Sequence, residues 1–81
     1  MDLGPRLREG LFSRLLALPR DEWPDDDANL FDLGLDSLRV LRLLVFIEQD
    51  LGVVLSDSAI TPEAIGSVRA LLMLINAHQR S

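Results

Sequence analysis

With 81 residues the chain has room for one domain, and a domain of this size buries only roughly 60% of its unfolded surface, too little to enclose a catalytic cleft readily. A net charge of −5 and a pI of about 4.5 argue against the basic face that nucleic-acid phosphates require, and with no cysteine there is no disulfide, thiolate metal site or thiol nucleophile. Apolar residues make up 48% and aromatics 5%, a balance that suits Leu, Ile and Val packed between helices better than sheets.

The N-terminus lacks the charged-then-apolar build of a signal peptide, and charges break every apolar run well short of a membrane span. A cytoplasmic protein is expected. Met1 to Gly4 reads as frayed, and Pro5 suits a first helical turn, where its missing N–H costs nothing. Leu7, Leu11, Leu15 and Leu18, with Phe12 and Leu16 beside them, recur at helical spacing and predict helix 1 over about 5 to 18. Arg6, Arg8, Glu9 and Arg14 fill the other side, read as a solvated face rather than a membrane-lying one.

Pro19 is expected to end that helix, and residues 19 to 36 form a long ordered loop rich in Asp, with no helical period. Trp23, Leu30, Phe31 and Leu33 are its expected apolar anchors, and truncating a buried Phe31 to alanine predicts a loss of roughly 3 kcal/mol. Asp25-Asp26-Asp27 lacks the alternating Asp-x-Asp-x-Asp-Gly spacing that wraps calcium, so no metal site is expected there.

The loop closes on Leu33-Gly34-Leu35-Asp36-Ser37-Leu38. Gly34 permits a sharp turn, and Asp36 suits an N-cap because its carboxylate accepts from the open N–H groups of the first turn. The hydroxyl of Ser37 is then spared from capping, and it sits where a helix N-terminus favours an anion such as a phosphodiester.

Helix 2 is predicted over about 37 to 51, stopped by Gly52. At about 100° per residue, Arg39, Arg42, Phe46, Gln49 and Asp50 share one stripe with Val45 at its edge, while Leu38, Leu41, Leu44 and Leu51 turn toward the interior. Glu48 falls on that inner half without an explanation. Val53-Val54-Leu55 has nothing to pair with as a strand and reads as buried loop. Thr61-Pro62-Glu63 is a helix start that opens a short helix 3 over about 61 to 65, and Ser67 caps helix 4 over about 67 to 79, with Val68, Leu71, Leu72 and Ile75 inward. His78, near the end of helix 4, has neither a nucleophile to serve nor ligands beside it, and is read as structural.

The string around Gly34-Leu35-Asp36-Ser37-Leu38, in a short acidic helical chain, resembles the acyl and peptidyl carrier proteins, and the resemblance runs from about Leu7 to Ile75. It implies an all-α fold, a four-helix bundle of the acyl carrier type with three longer helices, a short third helix and a long loop between helices 1 and 2. It further implies that Ser37 carries a 4′-phosphopantetheine arm taken from coenzyme A, that Asp36 helps hold magnesium while a phosphopantetheinyl transferase attaches the arm, and that Leu35 and Leu38 are the apolar contacts partners read first. The carrier would catalyse nothing: an adenylating or acyltransferase enzyme would load the arm's thiol as a thioester, and downstream biosynthetic enzymes would act on the cargo. A monomer is expected, with Arg39, Arg42, Val45 and Phe46 as the partner face. Reversing both arginines is expected to slow loading while leaving the melting temperature nearly unchanged.

Two departures narrow the pathway. Carriers of bacterial fatty-acid synthesis present an acidic helix 2, where this chain has Arg39 and Arg42; peptidyl carriers usually read Gly-Gly-x-Ser, where this chain has Leu35-Asp36. Thr61-Pro62-Glu63 is similar to discrete carriers of aminoacyl or short hydroxyacyl groups, so a specialised polyketide, nonribosomal peptide or aminoacyl pathway is preferred. A carrier of fatty-acid or lipid synthesis and a non-catalytic helical adaptor remain the alternatives.

Overall fold

The computed structural model describes residues Leu3 to Gln79, and each regular element among them is helical. Helix α1 (Leu3–Arg8) runs directly into a π-helical segment, Glu9–Leu15, at whose end the Leu16 N–H donates five residues back to the Leu11 carbonyl at 3.0 Å. Such wide turns are rare. Leu3 and Gly4 are helical and buried rather than frayed, because Leu3 joins the core; Met1 and Asp2, expected to fray with them, lie outside the described residues. The helix also stops short of residue 18. Ala17 adopts a left-handed φ of 53°, and the Leu18 N–H turns back to the Phe12 carbonyl at 2.7 Å, so the chain has reversed before Pro19.

The long connection contains two 3₁₀ turns, Arg20–Glu22 and Leu30–Leu33. Trp23 packs on Phe12 with ring centroids 5.6 Å apart, and its Nε1 donates to the Leu18 carbonyl at 3.1 Å. Leu30 is fully buried, whereas Phe31 is 40% exposed and does not act as the buried anchor expected of it. Neighbouring side chains in one tight turn point in different directions, and Leu30 takes the inward one. The Asp run is a structural fastener: Asp26 accepts two bonds from Arg8 at 2.8 and 2.6 Å, and Asp27 accepts two from Arg69 at 2.6 and 3.2 Å. Arg8 therefore spans to the loop instead of merely facing solvent. Backbone bonds from Arg69 N–H to Asp26 (3.0 Å) and from Leu30 N–H to Gly66 (2.8 Å) complete the seam.

Helix α2 (Ser37–Leu51) buries Leu43, Phe46, Ile47 and Leu51. The expected orientation is wrong by roughly a third of a turn: Leu38 and Leu41 face outward, and Phe46 faces in. Gly10 explains it, because a Cβ there would overlap the Phe46 ring, so the glycine opens a slot in helix 1 that the ring fills. Arg14 lies over the ring at 5.6 Å and pairs with Asp50 at 2.9 Å. Glu48 is exposed on the outer face, which resolves its place.

Beyond Gly52, in the left-handed conformation that ends α2, Val53 is buried and Val54 exposed. A 3₁₀ turn (Asp57–Ala59) leads to α3 (Pro62–Ile65) and α4 (Val68–Gln79). Thr61 Oγ1 accepts from Ala64 N–H at 3.2 Å and Ser67 Oγ from Ala70 N–H at 3.1 Å, so each short break carries its own cap. The core joins Leu7, Leu11, Phe12, Leu30, Leu43, Ile47, Val68, Leu71 and Ile75, all fully buried. Among the described residues no helix is long and apolar enough to cross a membrane.

Candidate functional site

Gly34 has φ 112°, a left-handed geometry that any side chain would strain, and it turns the chain from the 3₁₀ segment into α2. The Leu35 N–H donates to the Leu30 carbonyl at 3.1 Å, and the Leu35 side chain drops into the core with 4% exposure. Leu35 is thus a tether for the turn, buried rather than on the surface where its expected role as a partner contact would place it. The alternation of an inward Leu35 with outward neighbours lifts Asp36 and Ser37 to the surface.

Asp36 is extended (φ −131°, ψ −177°), and its Oδ1 accepts from the Arg39 N–H at 2.9 Å as the N-cap of α2. That N–H bond, joined by the Arg39 guanidinium, holds the Asp36 carboxyl below its ordinary value of 3.8. Ser37 is the first residue of a fifteen-residue helix, exposed, and its hydroxyl has no hydrogen-bond partner among the described residues. An uncommitted hydroxyl at the positive end of a helix fits attachment of a phosphodiester.

Around it, Leu38 is 59% exposed, and Leu41 and Val45 continue the same outer strip along α2 with Arg42, which has no charged partner among the described residues. Arg39 and Phe46 are not part of that strip. Phe46 is in the core, and the Arg39 side chain folds back onto the chain: Nε donates to the Leu15 carbonyl at 3.2 Å, and Nη1 to the Gly34 carbonyl at 3.2 Å and to Asp36 Oδ2 at 3.0 Å. Sequence spacing turned Leu38 and Leu41 inward because apolar residues on both faces of α2 hide the period; the small Gly10 opposite was the available signal.

His78 Nδ1 lies 3.0 Å from the Leu74 carbonyl, a helix-internal contact, and the described residues hold no cluster of potential metal ligands. No curated protein matches the chain in sequence. The family model of the phosphopantetheine attachment site matches residues 9–75. That stretch takes in the π segment, the fastened loop, the exposed serine and all of α2 and α3, so the chain belongs to the phosphopantetheine-binding family of acyl and peptidyl carrier proteins and is a site of covalent 4′-phosphopantetheine attachment.

Proposed function

We propose that Ser37 is the residue that takes the arm, and that the chain tethers acyl or aminoacyl groups and presents them to partner enzymes in a specialised biosynthetic pathway. The supporting observation is the exposed, unbonded hydroxyl of Ser37 at the start of α2, beside a carboxylate already fixed as the cap. In the transfer, Ser37 Oγ bonds to the pantetheine-side phosphorus of coenzyme A while the pyrophosphate P–O bond breaks. Adenosine 3′,5′-bisphosphate leaves, and the hydroxyl proton passes to a base on the transferase. Asp36 contributes a carboxylate kept ionised throughout the neutral range, suited to a magnesium ion brought by that enzyme. Once attached, the arm supplies a terminal thiol on which cargo is held as a thioester.

The chain itself then has a presenting role, and catalysis belongs to its partners. Arg42 on the outer strip of α2 favours the specialised pathway over bacterial fatty-acid synthesis, because enzymes whose basic patches dock acidic helices would meet a like charge. Incubation with coenzyme A, magnesium and a broad-specificity transferase should add one phosphopantetheine mass to the wild type and none to Ser37→Ala. An unchanged wild-type mass, alongside an active control carrier, overturns the assignment of Ser37.

A further inference from the structure

Arg39 was expected to face partners, but its guanidinium joins three separate pieces of the chain. It reaches the last turn of the π segment at the Leu15 carbonyl, the left-handed turn at the Gly34 carbonyl, and the cap at Asp36 Oδ2. The backbone N–H of the same residue takes the other oxygen, Asp36 Oδ1. Both oxygens of the carboxylate next to Ser37 are therefore fixed by one residue two positions beyond it. The Leu15 carbonyl lies at a helix C-terminus, where unpaired carbonyls and the macrodipole favour a cation.

We infer that Arg39 is a positioning residue for the modification of Ser37: it clasps the Gly34 turn and the Asp36 carboxylate to the end of helix 1, and so fixes the approach to the hydroxyl. This inference rests on the reading of Ser37 as the attachment residue. The relative size of the effects supports positioning over stability. The Arg39–Asp36 pair is solvent-exposed, and exposed pairs contribute little to stability. Water can take over at the exposed Gly34 carbonyl when the guanidinium is removed. Orientation is less forgiving, since displacing a reacting group by about 1 Å can cost on the order of a hundredfold in rate. Guanidinium geometry also matters, because a lysine ammonium is a point charge and cannot span the same three acceptors with a planar fork.

The test compares wild type, Arg39→Gln and Arg39→Lys as substrates of a broad-specificity transferase with coenzyme A and magnesium, measuring kcat and KM for the carrier and hydrogen exchange at the Gly34 and Leu35 amides, which donate to the Phe31 and Leu30 carbonyls. Clasping predicts that both variants fold, that kcat falls about tenfold with KM within about twofold, and that exchange at those amides rises while the middle of α2 is unchanged. A raised KM with unchanged kcat overturns the inference in favour of a partner contact, and wild-type kinetics with wild-type exchange overturn it outright. Failure of both variants to fold also overturns it, because Arg39 would then be a stability residue. A wild type that takes up no phosphopantetheine overturns the attachment reading itself, a result distinct from modification at equal rates in all three proteins.

Discussion

Leu30 and Phe31 are adjacent in one 3₁₀ turn, yet the smaller side chain is fully buried and the larger is 40% exposed. Burial outweighs size in setting what each contributes. Leu30→Ala removes buried methyl groups and leaves a cavity beneath the loop, so a loss of about 3 kcal/mol is expected. Phe31→Ala should cost about 1 kcal/mol, since much of its ring area is already in water. Urea unfolding of both variants checks the order, and an equal or larger loss for Phe31→Ala would mean that the ring carries the loop. The same contrast marks what a sequence can and cannot convey. Gly34, Asp36, Thr61 and Ser67 act through their own backbone and the next turn, so capping rules read them directly. The inward turn of Phe46 depends on Gly10, thirty-six positions away, and no local pattern carries that information. Pro19 announced the stop of helix 1, but the left-handed residue that makes it is Ala17, a type that rarely takes that conformation, so the exact end was not legible.

At the scale of the element, the loop between α1 and α2 is held by charge on one side and by apolar burial on the other. Asp26 is paired with Arg8 and Asp27 with Arg69, and the hydrogen bonds from those guanidinium groups hold both carboxyls below the ordinary 3.8. A carboxyl whose folded value is depressed adds stability that is fully present above its unfolded value and is lost as pH falls through the folded one. The loop fastening should therefore be constant from neutrality to about the ordinary 3.8 and weaken only below it. Asp26→Asn is expected to melt lower than wild type at pH 7, with the gap closing well below pH 3.8. Thermal melts across that range check it, and a gap that persists in acid would assign the loss to packing rather than to the ion pair. The Asp run was legible as acidic; its arginine partners on α1 and α4 were not, because ion pairs across long separations leave no spacing signature.

Over the whole molecule, most arginines are spent internally: Arg8, Arg14, Arg20, Arg39 and Arg69 each pair with a carboxylate of this chain. The chain carries a net charge of −5, and on the outer strip of α2 Leu38, Leu41 and Val45 are exposed and Arg42 has no charged partner among the described residues. An arginine beside exposed aliphatic side chains, on the helix that begins at Ser37, is the composition from which interface energy is commonly drawn. Arg39 and Phe46 have left that face, so charge reversal at position 42 alone isolates it. Arg42→Glu should change stability by under about 0.5 kcal/mol, as surface substitutions usually do. It should also slow loading by the cognate adenylating or acyltransferase enzyme at least about tenfold, the equivalent of about 1.4 kcal/mol, with the deficit shrinking as salt screens the contact. Transfer of phosphopantetheine to the chain should proceed at the wild-type rate, which separates a pathway contact from the positioning role proposed for Arg39. The cognate enzyme can be found by screening the holo protein against adenylating enzymes with a panel of amino and hydroxy acids. Loading of Arg42→Glu at the wild-type rate would place recognition elsewhere, and the groove between α3 and α4, where Met73 is 68% exposed beside Ala64, Ala70 and Leu74, would be the next face to vary.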